Sequence, residues 1–363
     1  MLIMGNPWFS AAGCHGLIVI NAVAMEAPVT NLPTARLGRT GMATSRVGIG
    51  AWAFGGAGWV DTWGAQDDAG SIAAILRAVD GGVNWIDTAP IYGLGHAEEV
   101  VGQALRRIPD SDRPHVFTKA GVVWDPQRPY DKPTLIGRPD SLRSELEASL
   151  RRLGVDRIDL YQVHAPPTDG TPIEEYWQTF CDLRSEGKVR AIGLSNHTVE
   201  QLEAAAAVGR VDAVQPKLNL IHRDVADILA WSAAHQAGVI VYSPMASGLL
   251  SGMFTTERAA SLPAEDWRRG HPDFTEPALS RNLGLARALE PVARRYSVSV
   301  SAVAIAWTLA FPAVTGAIVG LRRAAQADAW LVAASLRLDE SDLADIALAI
   351  ERTGAGAGPA LPG

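Results

Sequence analysis

Four polar side chains in the first half of the chain could do chemistry together. They are Asp87, Tyr92, Lys119 and His164. A phenol has a pKa of about 10, so Tyr92 donates a proton at neutral pH only where its anion is stabilised, as a Lys119 ammonium would do. Asp87 would keep Lys119 charged, and His164 would donate a hydrogen bond that orients a carbonyl. The set therefore predicts a site that protonates a carbonyl oxygen as negative charge builds on it.

Each of these residues also has a structural interpretation when taken singly. Asp87 would then cap a helix or lie at the surface, and Lys119 would be a strand-end cation. His164 would be a hydrogen-bonded core residue and Tyr92 a loop-packing side chain. The chemical interpretation is favoured because Asp87, Lys119 and His164 end three consecutive apolar segments, and Tyr92 lies on the loop after the first of these segments. No side chain supplies a hydride, so a reduction at this site needs a cofactor.

The elements that must position these residues form a repeating pattern. Eight short apolar or β-branched runs alternate with segments of helical spacing. The runs are residues 47–50, 84–87, 116–119, 158–164, 190–195, 213–215, 239–243 and 317–320. Eight strand–helix units predict an α/β fold, a (β/α)8 TIM-type barrel, whose chemistry lies at the carboxyl ends of the strands. A doubly wound sheet is the alternative, but no G-x-G-x-x-G follows the first run.

We expect a single barrel domain over residues 31–350, with a last helix at 341–350 outside the eight units. Ser243 and Gly320 are 77 positions apart, too many for one unit, so an insertion is expected at about 248–280. Residues 1–30 are expected to be a loose N-terminal extension. Their apolar run has no preceding Lys or Arg, which argues against a secretory signal, and Met25 is a plausible start. The Gly-rich residues 351–363 are expected to be a disordered tail.

The composition argues against several classes of protein. Lys and Arg number 32 against 39 Asp and Glu, a net charge of −7, whereas general nucleic-acid binders are usually basic. No apolar stretch reaches the ~18 residues that span a bilayer. The two cysteines, Cys14 and Cys181, have no CxxC motif or Cys/His cluster around them, so no metal site is predicted and a cytoplasmic location is expected.

Several motifs resemble those of the aldo-keto reductases. They are Asp-Thr-Ala-Pro-Ile-Tyr-Gly at 87–93, Phe-Thr-Lys at 117–119, Asp-Leu-Tyr-Gln-Val-His at 159–164 and Gly-Leu-Ser-Asn at 193–196. The resemblance runs from about Arg36 to about Leu338. It implies that Asp87, Tyr92, Lys119 and His164 are the catalytic tetrad. The implied activity is NADPH-dependent reduction of an aldehyde or ketone in a barrel that binds its cofactor without a Rossmann motif.

The same resemblance implies a cofactor site for NADPH (NADP+), expected in preference to NADH. Positions that hold the nicotinamide carboxamide match Ser195, Asn196 and Gln215, and the aromatic that stacks on the ring matches Tyr242. The segment resembling the pyrophosphate loop contains Ser243, Pro244, Gly248 and Leu249. The eighth strand and the segment after it contribute Gly320, Arg322 and Gln326, the last two near the adenosine 2′-phosphate and the adenine. Backbone N–H groups at the start of the following helix are also expected to meet that phosphate.

The substrate pocket is expected to have aromatic walls. Trp52 follows the first strand and Trp124 lies in loop 121–137 after the third, so both fall on the face where such barrels bind ligands. Trp59 and Trp63 either join this wall or pack their own loop. The expected partner is a small-molecule carbonyl compound, with no nucleic acid and no membrane.

Two other functions stay open at this point. One is a nicotinamide-binding regulatory subunit resembling the cytoplasmic β subunits of potassium channels, which belong to the same family. The other is a barrel isomerase or lyase that uses no nicotinamide.

Overall fold

Eight parallel strands form a closed barrel in the computed structural model, which describes residues 32–362. The extension predicted over residues 1–30 and Met25 lie outside the described residues. The strands are β1 (Val47–Gly50), β2 (Trp85–Asp87), β3 (His115–Ala120), β4 (Ile158–Val163), β5 (Val189–Ser195), β6 (Ala213–Gln215), β7 (Gly238–Tyr242) and β8 (Gly316–Gly320). Each pairs with the next along the chain, and β8 pairs with β1. The predicted (β/α)8 TIM-type barrel is confirmed, and every strand end lies within one residue of its predicted position.

Helices cover the outside of the barrel. They are α1 (Asp68–Asp80), α2 (His96–Leu105), α3 (Pro139–Leu153), α4 (Ile173–Ser185), α5 (Val199–Val208), α6 (Ala226–His235), α7 (Thr256–Ala260), α8 (Ala278–Ala288), α9 (Glu290–Arg295), α10 (Val300–Leu309), α11 (Ala324–Leu331) and α12 (Glu340–Thr353). Asp67 caps α1 by accepting a hydrogen bond from the Gly70 N–H at 2.7 Å. None of the helices between residues 32 and 362 is long and apolar enough to cross a membrane.

Large side chains fill the inside of the barrel. Trp85 of β2 packs on Phe117 of β3 with ring centroids 5.3 Å apart, and both are fully buried. Gly48 on β1 makes room for this, because a Cβ there would lie 2.1 Å from the Trp85 ring. A hairpin of two short strands, Thr34–Arg36 and Ala43–Ser45, lies next to β1, and the buried Leu37 and Met42 between its strands belong to the same apolar cluster. The barrel interior is therefore a packed core, and polar chemistry is left to its carboxyl end.

The segment between β7 and β8 contains the insertion expected at about 248–280. It holds a short helical turn at Ala246–Ser251 and the helix α7, and a second turn at Pro272–Phe274 precedes α8. The insertion reaches the loop after β1, where the backbone N–H of Trp267 donates to the Thr62 carbonyl at 3.3 Å. These two loops therefore meet across the mouth of the barrel.

The chain end differs from the disordered tail expected over residues 351–363. Residues 351–353 complete α12, and the next residues pack against the loop after β6. Ala355 is buried, and its carbonyl accepts from Arg223 Nη1 at 3.2 Å. Gly356, at φ +65°, allows the close approach, because a Cβ there would lie 1.9 Å from the Ile221 carbonyl oxygen. The glycines that suggested disorder instead let the tail backbone pack closely against the backbone of the loop after β6. The tail is therefore held in place although it buries few apolar side chains.

Candidate active site

A buried ion pair lies at the carboxyl end of β2 and β3. Asp87 and Lys119 are 2% and 1% exposed, and Lys119 Nζ donates to Asp87 Oδ1. Lys119 Nζ also donates to the Thr88 carbonyl at 3.0 Å. Burial lowers the pKa of Lys119, and the neighbouring Asp87 charge opposes that shift. The pairing expected between adjacent strands is therefore observed.

The second Asp87 oxygen is held by two glutamines. Asp87 Oδ2 accepts from Gln215 Nε2 at 2.9 Å and from Gln162 Nε2 at 3.2 Å, and Gln215 Nε2 also lies 3.0 Å from Gln162 Oε1. Gln162 is missing from the predicted set. Its signal is the two-residue spacing from His164, which places both side chains on the same side of β4. Gln215 is brought to the site as expected, but its amide nitrogen is engaged by Asp87.

Tyr92 and His164 lie next to the ion pair, so the structure brings all four predicted residues together. The Tyr92 and His164 rings are perpendicular with centroids 5.7 Å apart, and Lys119 Nζ lies 5.3 Å from the Tyr92 centroid. Both rings are half-buried. The structure thus forms one compact group of a phenol, an imidazole, an ammonium and a carboxylate.

The electrostatics of Tyr92 differ from the expectation that Lys119 alone would stabilise its anion. Burial, followed by the Asp87 charge, raises the pKa of Tyr92 well above its ordinary value of 10.0. The reason is that burial of the phenol outweighs the attraction of the Lys119 charge, which the neighbouring Asp87 charge offsets in part. Burial and the Lys119 charge lower the pKa of His164 well below 6.5. At neutral pH Tyr92 therefore holds its proton and His164 is uncharged.

The residues expected near a nicotinamide form one hydrogen-bonded chain at the barrel mouth. Tyr242 Oη donates to Asn196 Oδ1 at 2.9 Å, and Asn196 Nδ2 donates to the His164 carbonyl at 2.9 Å. Asn196 Nδ2 also donates to Ser195 Oγ at 3.1 Å, and Ser195 Oγ donates to the Gln215 carbonyl at 3.0 Å. This chain links the ends of β4, β5, β6 and β7 around the group of Asp87, Tyr92, Lys119 and His164.

The segment expected to cover a pyrophosphate makes a tight turn after β7. It contains Ser243, Pro244, Gly248 and Leu249. Ser243 has φ +57° and Gly248 has φ +101°, while Leu249 is buried and anchors the turn. A Cβ at Gly248 would lie 3.9 Å from Arg268 Nη1. Arg268 is itself buried, paired with Asp266, and absent from the predicted set.

Arginine side chains gather beside the end of β8. Burial, followed by the charge of Arg268 and then those of Arg323 and Arg258, lowers the pKa of Arg322. A Cβ at Gly320 would meet no other heavy atom within 4 Å, so the end of β8 faces open space. A positive cluster beside an open strand end fits the phosphates of a dinucleotide. By contrast, no group of three or more His, Cys, Asp or Glu that could hold a metal ion occurs within residues 32–362.

The contacts of Arg322 and Gln326 differ from those expected. Arg322 Nη2 donates to the Ala65 carbonyl at 2.5 Å, and its Nε donates to Gln66 Oε1 at 2.7 Å. Gln326 Oε1 accepts from the backbone N–H groups of Arg322 and Arg323 at 2.6 and 3.0 Å. The N–H groups expected to meet a phosphate thus donate to Gln326, because the first N–H groups of a helix have no partner within the helix. Arg322 also joins the β8 end to the loop after β1.

Aromatic side chains form one wall beside Tyr92. The Trp52 ring is stacked with the Tyr92 ring, with centroids 6.0 Å apart. It is also stacked with the ring of Trp267 from the insertion, with centroids 5.4 Å apart. Trp124 belongs to the same apolar cluster as Trp52, Trp59 and Tyr92. Trp52 and Trp124 therefore lie in one apolar cluster with Tyr92. Trp267 is a missed member, since its position depends on how the insertion folds.

Comparison with known proteins places this geometry in a family. The model of the Aldo/keto reductase family matches residues 46–351. The chain is 34% identical to the aldo-keto reductase YhdN of Bacillus subtilis (strain 168) over 86% of this chain and 92% of that protein. It is 32% identical to the NADH-specific methylglyoxal reductase of Escherichia coli (strain K12), over 87% of this chain and 98% of that protein.

A solved structure agrees with these sequence relatives. The glycerol dehydrogenase AKR11B4 from Gluconobacter oxydans has a TM-score of 0.80 and 35% identity, over 90% of this chain and 97% of that chain. The family match covers all eight barrel strands and the whole Asp87, Tyr92, Lys119 and His164 group. The chain belongs to the aldo/keto reductase family.

Proposed function

We propose that the protein reduces an aldehyde or ketone to an alcohol with NADPH, and that Tyr92 donates the proton. The observation that carries this proposal is the buried Asp87–Lys119 pair with Tyr92 and His164 beside it. NADPH, when bound, supplies the hydride that no side chain of the protein can supply. The remaining work, which is to orient the carbonyl and to protonate its oxygen, falls to these four residues.

The charge states of the four residues suit that division of work. Tyr92 keeps its proton at neutral pH and gives it up only to a strong base, which an alkoxide is. Lys119 Nζ lies 5.3 Å from the Tyr92 ring centre, so its charge stabilises the phenolate that remains. Uncharged His164 retains one ring N–H that can donate to the carbonyl oxygen and fix its orientation. Asp87 holds Lys119 in place.

The proposed cofactor site uses residues on two sides of this group. We propose that Ser195, Asn196 and Gln215 lie beside the nicotinamide carboxamide and that the Tyr242 ring stacks on the nicotinamide. The turn at 243–249 and the insertion would cover the pyrophosphate. The arginines beside β8 supply positive charge for the adenosine 2′-phosphate, which supports NADPH over NADH. The NADH-specific name of one relative makes this preference a point to measure.

The test is a substrate screen that follows cofactor absorbance. Purified protein is mixed with NADPH or NADH and a panel of aldehydes and ketones, including methylglyoxal and other small and aromatic carbonyls. Steady oxidation of NADPH that depends on the carbonyl supports the proposal. Turnover faster with NADH than with NADPH at equal concentration would contradict the cofactor preference.

The screen also separates the proposal from the regulatory alternative. A nicotinamide-binding subunit without catalytic turnover would bind NADPH tightly, and quench tryptophan fluorescence, yet oxidise it with none of the carbonyls. Trp52 and Trp267 lie close to the proposed site and make that fluorescence measurement possible. Binding without turnover would refute the proposed reductase activity.

A further inference from the structure

One peptide group at the exit of β3 ties together three parts of the site. Its carbonyl, on Ala120, accepts from the backbone N–H of His164 at 2.9 Å. Its N–H, on Gly121, donates to Glu145 Oε2 at 2.9 Å. Because Lys119 lies one residue before Ala120, the orientation of this peptide group is coupled to the positions of both Lys119 and His164.

The same peptide group begins the loop that carries Trp124. Gly121 has φ +89°, a backbone conformation that glycine adopts readily because it has no side chain. The loop folds back on itself, with Val122–Val123 pairing with Thr134–Leu135 and the Ile136 N–H donating to the Gly121 carbonyl at 3.0 Å. The hydrogen bond to Glu145 is the contact between the first residue of this loop and α3, and it restrains the direction in which the loop leaves the barrel.

Glu145 lies on α3 between the fully buried Leu142 and Leu146. Its second oxygen accepts from Ser141 Oγ at 3.1 Å. Within the described chain no Lys, Arg or His lies within salt-bridge distance of it, and the nearby Arg152 pairs with Glu98 instead. A largely buried carboxyl without a cation is unfavourable for stability, so the hydrogen bonds from Gly121 and Ser141 are its compensating contacts.

We propose that Glu145 is a positioning residue, which holds Lys119, His164 and the Trp124 loop in their catalytic arrangement through the peptide bond between Ala120 and Gly121. This inference rests on the proposed function. Glu145 touches neither the carbonyl nor the cofactor site, and acts only through the backbone. A carboxylate accepts an N–H hydrogen bond more strongly than an amide or a protonated carboxyl does.

The surroundings of Glu145 make this contact sensitive to pH. Burial raises the pKa of Glu145 to about 7, while the hydrogen bonds from Gly121 and Ser141 oppose that shift. The ionisable groups facing it are Glu98 on α2, Arg152 on α3 and Tyr161 on β4, and burial raises the pKa of Tyr161 well above 10.0. Burial also raises the pKa of Tyr92 well above 10.0 and lowers that of His164 well below 6.5. Loss of a proton from Glu145 near pH 7 therefore strengthens the hold on the loop.

The experiment compares three variants with the wild-type protein. Glu145→Ala removes the acceptor, Glu145→Gln keeps a neutral acceptor, and Glu147→Gln is the matched control on the same helix, where the half-exposed Glu147 pairs with Lys188. The measurements are kcat and KM from pH 5.5 to 9, the Kd for NADPH, and hydrogen exchange of residues 120–124.

We expect Glu145→Ala to lower kcat/KM at least tenfold while the NADPH Kd changes less than twofold. Residues 120–124 should exchange at least tenfold faster than in Glu147→Gln. Glu145→Gln should stay within about threefold of wild type at pH 7 and lose the change in kcat/KM that the wild type shows near pH 7. Glu147→Gln should keep that change.

Three results would overturn the inference. They are Glu145→Ala activity within twofold of wild type, equal loss in Glu145→Ala and Glu145→Gln, or unchanged exchange at residues 120–124. A wild-type protein that reduces no carbonyl would instead refute the proposed function. In that case the exchange measurement still decides whether Glu145 holds the loop.

Discussion

The buried pair of Asp87 and Lys119 makes a quantitative prediction about stability. Asp87→Asn keeps the shape of the side chain but leaves the Lys119 ammonium, only 1% exposed, without a counter-charge. Removal of one partner of a buried ion pair costs roughly 3–5 kcal/mol of unfolding free energy. Lys119→Met leaves a carboxylate that still accepts from Gln162 and Gln215, so its cost should fall at the lower end of that range.

The double variant distinguishes a true pair from two independent contributions. Asp87→Asn combined with Lys119→Met leaves neither charge of the pair without its partner, so we expect its cost to be at least about 2 kcal/mol smaller than the sum of the single costs. The assay is urea denaturation at pH 7, with the unfolding free energy taken by linear extrapolation. Costs that add within about 0.5 kcal/mol would show that the two charges do not stabilise each other, and would refute the electrostatic interpretation of the site.

Three further predictions concern other parts of the site. Burial raises the pKa of Glu145 from 4.5 to about 7, so the stability that this residue contributes is present below pH 4.5 and is lost as the pH rises through 7. The unfolding free energy of Glu145→Gln should therefore rise by about 2–3 kcal/mol relative to that of the wild type between pH 5 and pH 8, as measured by denaturation. A difference in unfolding free energy that is the same at both pH values would contradict this. Trp267→Ala removes the stacking contact with Trp52, which is worth about 1 kcal/mol. Limited proteolysis within residues 248–280 should therefore be about fivefold faster in this variant than in the wild type. Equal cleavage rates in the two proteins would contradict a stabilising contact. Arg322→Gln should weaken NADPH binding about tenfold or more and NADH binding less than threefold in titrations, whereas equal losses would mean that Arg322 serves only the loop contact with Ala65.

Much of the fold could be predicted because the barrel repeats one simple unit. Strands buried on both faces have continuous apolar runs, and each run here ends in a polar or small residue that interrupts this pattern. That is why Asp87, Lys119 and His164 could be recognised as strand-end residues and expected to meet. The start of α1 is likewise set by a local contact, since Asp67 accepts from the Gly70 N–H.

The parts that could not be predicted depend on contacts between distant segments. Arg268 and Trp267 reach the site only because the insertion packs on the loop after β1. The tail after α12 is ordered by backbone contacts at Gly356, which composition alone describes as flexible. The direction of the Tyr92 pKa shift depends on how far burial outweighs the Lys119 charge, and a sequence does not contain that balance.

The central claim is that Tyr92 donates the proton, and Tyr92→Phe tests it most directly. The ring and its contact with Trp52 are kept, and only the O–H is lost. With the best carbonyl from the screen, we predict that kcat/KM falls by about 10²–10⁴ while the NADPH Kd changes less than twofold. Tyr130→Phe, at a tyrosine that is 63% exposed, is the matched control and should behave as wild type. A Tyr92→Phe protein that keeps more than a tenth of the wild-type kcat/KM would contradict the role of Tyr92 as the acid.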